Sequence, residues 1–302
     1  ERHGIVLAKS EKAKRAGVKT GMAVWEAYRL CPDIVIVPPH FKKYLAASRE
    51  VRKIYDRFSD KIEPFGLDEC FMDISGMQWT YKSGYEAANR IRLKVKEETG
   101  LTISVGVSYN KIFAKLGSDM KKPDAVTEIT RENFRDKVWP LPAREMIYIG
   151  RATERKLANY GIYTIGDVAG AGPEFMGRVF GKNGIKLWIN ACGSNSDPVM
   201  PGSWSPEIKS VGHGITCTED LETGEEVRQV MYFLAQEISY KLRKEGLYTS
   251  GIQIDIKDKS RACRSFQREL HVCTQNAMEI TKEAYRLFTD RYDWQLPVRA
   301  VT

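Results

Sequence analysis

Two adjacent carboxylates, Asp68 and Glu69, are the strongest candidates for chemistry in this sequence. They follow a turn-like group at residues 63–66 and stand at the start of a strand predicted over residues 67–74. Neighbours inside a regular strand face opposite sides of the sheet, but at a turn two carboxylates can converge on a divalent cation. Metal held there could clamp the attacking and leaving oxygens of a phosphoryl transfer. A solvated turn often carries the same pair, so the pair alone leaves its role open.

Basic side chains in two separate segments could hold phosphates. Lys12, Lys14 and Arg15 lie on an early helical turn, and Lys121-Lys122 follow a helix predicted over residues 111–120. Cations from separated segments can converge on the phosphates of one ligand. Lysines at the end of a helix also favour the helix dipole, and for Lys121-Lys122 that explanation is sufficient by itself.

A glycine-containing turn between two short predicted helices, within residues 147–167, is a candidate for backbone binding of a phosphate. Gly150 and Arg151 lie at the start of the first helix. Backbone N–H groups at such a turn can hold a DNA phosphate without reading the base sequence. An ordinary helical hairpin has the same pattern, and this alternative stays open.

The hydrophobic pattern divides the chain into an α+β unit, a helical unit and a second α+β unit. Residues 134–190 show helical periods interrupted by glycines, and residues 193–206, rich in Gly, Ser and Pro, are the predicted linker. Helices are predicted over residues 11–30 (broken at Gly17 and Gly21), 43–59, 85–98, 111–120, 225–245 and 276–291. Strands are predicted over residues 5–8, 34–37, 67–74, 103–107, 211–217 and 252–256, with a last one starting at 297.

The composition favours an intracellular protein with a polyanionic partner. The 302 residues carry a formal net charge of +8, and residues 257–268 hold five Lys/Arg against one Asp. No apolar run approaches the roughly 20 residues of a membrane span, and the first residues do not form a signal peptide, so a cytoplasmic location is expected. Six cysteines without a CxxC pair argue against a zinc site and predict reduced, mostly buried thiols.

Taken in order, these motifs resemble the Y-family translesion DNA polymerases of bacteria over nearly the whole chain. Residues 11–22 (EKAKRAGVKTGM) and 30–39 (LCPDIVIVPP) are similar to finger motifs of that family. Residues 63–74 (EPFGLDECFMDI) and 104–124 (SVGVSYNKIFAKLGSDMKKPD) resemble its palm motifs. Residues 139–168 resemble the helix-hairpin-helix of the thumb, and 207–221 (EIKSVGHGITCTEDL) the opening of the little finger.

The resemblance implies an α+β multidomain fold, a right-hand polymerase with fingers, palm and a helical thumb containing the helix-hairpin-helix, plus an α/β little-finger domain. The implied ranges are fingers 1–42, palm 43–133, thumb 134–203, linker 204–208 and little finger 209–302.

The resemblance also implies site residues and a reaction, the addition of a dNTP to a primer 3′-OH opposite damaged template bases. Asp68 and Glu69 would be catalytic ligands of two Mg²⁺ ions, and Lys14, Arg15 and Lys122 would bind the triphosphate. The DNA contacts that it implies are Gly150, Arg151, Lys209, Ser210, Gly212, Arg261 and Arg264.

Three departures qualify the resemblance. The family's first metal-binding Asp lies upstream of the fingers motif in which this sequence begins, so we expect this stretch alone to be impaired as a polymerase. Glu11 stands where many members have a tyrosine, which favours the polymerase V branch over the polymerase IV branch. Tyr148 replaces the first glycine of the usual Gly-Ile-Gly. A sliding clamp is also an implied partner, although the sequence ends before a clamp-binding peptide.

Two other classes of function fit part of the pattern. A non-catalytic DNA-binding module would have the same basic surface and would bind DNA with a steep salt dependence but without Mg²⁺-dependent nucleotide binding. A two-metal nuclease would also use Asp68 and Glu69 and would shorten the primer. The nuclease does not explain Lys14 together with Lys122.

Overall fold

The computed structural model describes residues 4–77 and 80–302, and it divides into two compact units. One unit comprises Glu1–Pro39 together with Pro206–Thr302, and the other comprises His40–Ser205. Helices and β-sheets are mixed in both units, as the predicted α+β class requires. No helix of the described ranges has the length and apolar character needed to cross a membrane.

Residues 4–39 form two short helices, α1 (Glu11–Arg15) and α2 (Val24–Leu30), around a small core. The predicted break between them is confirmed, because Gly17 and Gly21 adopt φ values of +92° and +80°, which favour glycine. The strands predicted at residues 5–8 and 34–37 were wrong. Ile5 makes only an isolated bridge to Ala23, and residues 34–37 pair with no strand among the described residues.

The first half of the second unit contains three helices and two small sheets. Its helices are α3 (Phe41–Tyr55), α4 (Gly84–Thr99) and α5 (Lys111–Met120). The strands β1 (Ile62–Phe65) and β2 (Glu69–Met72) form an antiparallel hairpin, whereas β3 (Val105–Ser108) and β4 (Val126–Ile129) pair in parallel. Neither β1 nor β4 was predicted from the sequence.

Helix α5 lies against β3 at unusually close range because two glycines face each other. A Cβ on Gly106 would lie 1.8 Å from the carbonyl oxygen of Ala114, and one on Gly117 would lie 3.3 Å from Gly106 Cα. Asn110 caps the start of the helix, and its side chain accepts a hydrogen bond of 2.8 Å from the Phe113 amide. These contacts fix the position of α5, which carries several of the charged residues discussed below.

The second half of this unit is helical, as predicted. It contains α6 (Phe134–Val138), α7 (Arg151–Ala158), α8 (Ile165–Gly170) and α9 (Pro173–Ala191). Their buried residues share one core with α5 and β4, through side chains such as Phe113 and Ile129. The helical half is therefore packed directly on the half that carries the two sheets.

The predicted linker is anchored rather than free. Residues 194–205 have neither helix nor strand. The Met200 amide donates a 2.9 Å hydrogen bond to Glu63 Oε2, and the Gly202 amide lies 3.4 Å from the Asp60 carbonyl oxygen. This segment thus lies along β1, the first strand of the hairpin.

Residues 206–302 form a four-stranded antiparallel sheet with two helices. The elements are β5 (Ile215–Leu221), α10 (Gly224–Lys244), β6 (Thr249–Asp258), β7 (Cys263–Thr274), α11 (Ala277–Arg291) and β8 (Val298–Val301). The strand order is β5-β8-β6-β7. Buried residues of both helices and of β6 and β8 form one core, in which Ile256 and Phe288 are fully buried. The predicted first strand lies four residues further along the chain, while both predicted helices are confirmed within two residues.

The cysteines differ in exposure, so their reactivity should differ as well. All six are free, and Cys217 alone is buried, which contradicts the expectation that most are buried. Cys31, Cys70 and Cys192 are half-buried, and Cys263 and Cys273 are exposed. Burial raises the pKa of the Cys70 thiol to about 11, and burial also raises the pKa of Cys217. Since the thiolate is the nucleophile, iodoacetamide at pH 8 should label Cys263 and Cys273 first in the native protein.

Peptide mass spectrometry would follow this labelling over time, with protein in urea as the control in which all six react. Labelling of Cys70 as fast as Cys273 in the native protein would contradict the prediction.

Candidate active site

The turn that carries the two carboxylates is held in place by α3. The hairpin pairs Phe65 with Glu69, so residues 66–68 form its turn and Gly66 takes a φ of +80°. Ser48 of α3 donates a 2.5 Å hydrogen bond to the Leu67 carbonyl, and Arg52 donates one of 3.2 Å to the Gly66 carbonyl. The turn predicted at residues 63–66 was therefore placed too early, because residues 62–65 belong to β1. Asp68 is the last residue of the turn, and Glu69 is the first residue of β2.

The two carboxylates differ in what surrounds them. Asp68 is exposed, and within residues 4–77 and 80–302 its carboxylate has neither a hydrogen bond nor an ion pair. Glu69 is half-buried, and its Oε1 accepts a 2.8 Å hydrogen bond from Lys115 Nζ. Glu69 therefore has one carboxylate oxygen engaged, while both oxygens of Asp68 are open to a ligand.

Lys115 links Glu69 to further charges at the end of α5. Its Nζ also lies 2.8 Å from Asp119 Oδ2, and Asp119 Oδ1 lies 2.7 Å from Lys122 Nζ. Burial lowers the pKa of Lys115, but the hydrogen bonds that its ammonium donates to Asp119 and Glu69 outweigh the burial, and the net shift of the pKa is upward. The same two lysines hold the pKa of Asp119 below its usual value despite its burial. The four groups thus alternate in charge from Glu69 to Lys122.

Asp68 and Glu69 can supply only part of the coordination shell of a divalent cation. Asp68 and Glu69 offer hard carboxylate oxygens, the type of ligand that Mg²⁺ takes together with water and substrate phosphates. Among the residues that the structure describes, no group of three or more His, Cys, Asp or Glu side chains could hold a metal ion. The pair is therefore suited to share an ion with a phosphate-bearing substrate rather than to enclose it.

A second ion pair on the same helix and hairpin was not predicted from the sequence. Lys111 Nζ lies 2.9 Å from Glu63 Oε2, and both side chains are only 15% exposed. Lys111, Lys115 and Asp119 are spaced four residues apart, which places them on one face of α5. That spacing was visible in the sequence, but the partners on the hairpin could not be inferred without the structure.

Of the cations predicted to bind nucleotide, Lys14 and Arg15 belong to the unit that contains residues 4–39, whereas Lys122 belongs to the same unit as Asp68 and Glu69. Lys14 and Arg15 are exposed on α1, and Lys14 Nζ lies 3.6 Å from Glu11 Oε1. The Glu11 carboxylate therefore faces Lys14 and partly offsets its charge. Lys122 is half exposed and has Asp119 as its partner.

The helical hairpin has the geometry predicted from its sequence. Gly150 precedes α7, and Arg151 is its first residue and is exposed. At α8 the Thr164 side chain accepts from the Asp167 amide, while the Asp167 carboxylate accepts from the Tyr163 and Thr164 amides. These backbone hydrogen bonds hold the pKa of Asp167 below its usual value. The loop between α7 and α8 is thus well ordered by its own contacts.

Tyr148 occupies a backbone conformation that favours glycine, with φ of +73°. A side chain in this region costs about 1 kcal/mol or more. Glycine offsets part of that gain because it loses more chain entropy on folding, so Tyr148→Gly should raise the stability of the protein by up to about 1 kcal/mol. Differential scanning calorimetry of both proteins would measure the change. Tyr163→Gly serves as the control, since Tyr163 is similarly exposed but has no positive φ, and it should not stabilise. A destabilised Tyr148→Gly protein would contradict the interpretation.

The other predicted DNA contacts are placed as follows. Lys209, Ser210 and Gly212 are exposed in the irregular segment before β5. Arg261 is exposed in the turn between β6 and β7. Arg264 is different, since it lies 2.8 Å from Asp293 and 5.8 Å from the Tyr292 ring centroid. Its guanidinium is therefore engaged near the end of α11, on the helix-covered face of β7.

Solved structures with the same architecture are Y-family DNA polymerases. A Y-family chimera of Dbh and Dpo4 superposes with a TM-score of 0.86 at 24% identity, over 99% of this chain and 86% of that chain. DinB from Sulfolobus solfataricus superposes with a TM-score of 0.61 at 23% identity, over 99% and 87%. The predicted right-hand polymerase fold with a little finger is thereby confirmed as the fold class.

The sequence comparisons give the family. Residues 1–119 match the impB/mucB/samB family, and residues 208–302 match the impB/mucB/samB family C-terminal domain. DNA polymerase IV of Acetivibrio thermocellus is 44% identical over 301 residues, which cover 100% of this chain and 75% of that protein. DNA polymerase IV 1 of Bacillus subtilis is 36% identical over 301 residues, covering 99% and 72%. The chain belongs to the impB/mucB/samB family of Y-family DNA polymerases.

The branch indicated by these relatives differs from the one inferred from Glu11. Both carry the name DNA polymerase IV, which contradicts the inference towards the polymerase V branch.

Proposed function

We propose that this protein is a template-directed DNA polymerase that adds deoxynucleotides to a primer 3′-OH opposite damaged bases of the template. The observation that carries the proposal is the Asp68 carboxylate, which is exposed and open on an anchored turn beside Glu69. In a chain of this family, that arrangement supports metal-assisted phosphoryl transfer.

Asp68 and Glu69 would hold two Mg²⁺ ions together with the phosphates of the incoming nucleotide. Bound there, the ions would supply charge stabilisation for the attacking and leaving oxygens of the displacement. The primer 3′-hydroxyl loses its proton to water as its oxygen attacks the α-phosphorus and forms a new P–O bond. The bond from the α-phosphorus to the oxygen that bridges it to the β-phosphate breaks, and pyrophosphate leaves with that oxygen. The protein contributes the anchored turn, which keeps Asp68 in place through Ser48 and Arg52.

The phosphates of the nucleotide are assigned to Lys122, Lys14 and Arg15. Lys122 is half exposed and can exchange Asp119 for a phosphate at small cost, because both groups remain partly solvated. Lys14 can do the same with Glu11, its partner at 3.6 Å. Both lysines would release a carboxylate when the more highly charged triphosphate binds.

The DNA is assigned to the helical hairpin and to the C-terminal α/β domain. Gly150 and Arg151 would contact the backbone at the start of α7, since free amides of a helix N-terminus favour anions. Further contacts are assigned to Lys209, Ser210, Gly212 and Arg261, all exposed. Arg264 would have to leave Asp293 to join them, so its contribution to binding should be small.

The domain ranges follow the same assignment. Fingers are assigned to residues 1–42, palm to 43–133, thumb to 134–203 and little finger to 209–302. A sliding clamp is proposed as a partner on the family resemblance of the sequence alone.

Primer extension by the full-length protein on a template with one abasic site tests this function. With Mg²⁺ and dNTPs, we expect the primer to lengthen up to the abasic site and past it. A protein that binds primer-template but adds no nucleotide would instead be a DNA-binding module. A primer that becomes shorter would identify a nuclease. Omission of Mg²⁺ is the control and should stop extension.

A further inference from the structure

We propose that Lys115 is a positioning residue of the polymerase reaction, which fixes the Glu69 carboxylate and is itself fixed by Asp119. The inference rests on the proposed function and adds two residues to it. Lys115 Nζ lies 2.8 Å from Glu69 Oε1 and 2.8 Å from Asp119 Oδ2. One ammonium thus joins the hairpin that carries the metal-binding carboxylates to the helix that precedes Lys122.

The position of Lys115 is set by the packing of α5. Its neighbours Leu116 and Phe113 are buried in the core, with exposed fractions of 3% and 0%. On the opposite side, Gly106 allows the backbone of α5 to approach β3 so closely that no side chain fits between them. The backbone of Lys115 is therefore held in position, and this position lets the ammonium contact Glu69.

Lys115 is suited to orientation rather than to binding of phosphate. Its side chain is 13% exposed, whereas that of Lys122 is 52% exposed. An ammonium has three donors, and two of those of Lys115 already point at carboxylates. A third contact with a bulky, solvated triphosphate would require the side chain to leave both partners.

The contact with Lys115 restricts how Glu69 can bind a metal. Oε1 is engaged by the ammonium, so Oε2 is the oxygen presented to a cation, and rotation of the carboxylate would break the ion pair. A carboxylate held in one orientation needs no reorganisation when charge develops in the transition state. Lys115 should therefore influence the rate of nucleotide addition more than the affinity for the nucleotide.

Lys115→Met provides the test, because methionine keeps the length and apolar stem of lysine without its charge. Single-turnover addition of one nucleotide at saturating Mg²⁺ and dNTP should slow by about tenfold to a hundredfold. Binding of the same Mg²⁺·dNTP to the complex with a dideoxy-terminated primer, followed by fluorescence, should change by less than about threefold. Lys115→Arg should regain most of the rate, since its guanidinium can contact both carboxylates.

Asp119→Asn tests the second half of the inference. The substitution keeps the shape of the side chain but removes the charge that anchors Lys115. The rate of addition should fall in the same direction but less, by about threefold, since Asp119 acts through Lys115. The double variant Lys115→Met with Asp119→Asn should be no slower than Lys115→Met alone. A double variant whose losses simply multiply would overturn the link between the two residues.

Lys111→Met is the matched structural control. Lys111 lies on the same helix, is equally buried, and pairs with Glu63 of the same hairpin. Its loss should lower the unfolding midpoint while the rate per folded molecule stays within about threefold of wild type. Equal rate losses in Lys111→Met and Lys115→Met would show that the ion pairs of Lys115 only stabilise the fold, and this result would overturn the proposal.

Loss of the polymerase function and loss of the role of Lys115 would give different results in the extension assay. If the full-length wild-type protein adds no nucleotide, the proposed function fails and the role of Lys115 fails with it. If the wild-type protein extends primers and Lys115→Met extends them at the same rate, only the role of Lys115 is overturned.

Discussion

Replacement of Asp68 by alanine should abolish primer extension, with a loss of at least about a thousandfold in the rate of nucleotide addition. The carboxylate is the one on this turn that has no partner among the described residues and faces solvent. Its removal therefore breaks no hydrogen bond or ion pair of the described structure. The expected result is an inactive protein with an unchanged unfolding midpoint, measured by single-turnover extension and by calorimetry.

Two further variants make the result specific. Asp68→Asn keeps the shape and loses the charge, and it should be as inactive as Asp68→Ala if the carboxylate binds metal. Asp60→Ala removes another exposed aspartate, which lies just before β1, and it should extend primers at close to the wild-type rate. Binding of primer-template should survive in all three, since phosphate contacts come from other residues. An active Asp68→Asn protein would contradict a metal-binding role for this residue.

The helices were largely predictable because their hydrophobic period is long enough to detect. Helix α5 has the predicted bounds of residues 111–120, and α10 begins at residue 224 against a prediction of 225. The short strands were harder. Strands β1 and β4 have four residues each, too few for a period to stand out. Strand β1 also contains Pro64, which argues against a strand in the sequence, and β4 forms only because it pairs in parallel with β3, earlier in the chain.

The apolar residues 34–37 show the opposite error, a strand that was predicted but does not form. They read as a strand in the sequence, yet Val35 is 82% exposed and the segment pairs with no strand in the described ranges. Local propensity for β structure is not sufficient where no hydrogen-bonding partner lies alongside.

The parts of the candidate site formed by neighbouring residues of the sequence were predictable. The contacts between residues far apart in the sequence were not. Asp68 and Glu69 are neighbours in the chain, so the turn and their chemistry could be read from one short segment. The contact of Lys115 with Glu69 joins residues 46 positions apart. It depends on where α5 crosses β3, and that crossing is set by the glycines at 106 and 117.

Gly106→Ala should therefore destabilise the protein strongly, by about 3 kcal/mol or more, at the upper end for overpacking. The new Cβ would lie 1.8 Å from the Ala114 carbonyl oxygen and 2.6 Å from the Ser118 amide nitrogen. Both are backbone atoms of α5, so no side-chain rotation can relieve the clash, and the helix must move away from β3. Urea unfolding followed by intrinsic fluorescence would measure the loss.

Gly170→Ala is the control for this substitution. Gly170 has no positive φ, and a Cβ there would meet nothing within 4 Å, so the change should lie within about 0.5 kcal/mol of wild type. The displaced helix should also carry Lys115 away from Glu69. Where enough Gly106→Ala protein folds to be assayed, its rate of nucleotide addition should fall towards that of Lys115→Met. Wild-type stability in Gly106→Ala would show that the approach of α5 to β3 does not determine the geometry of this site.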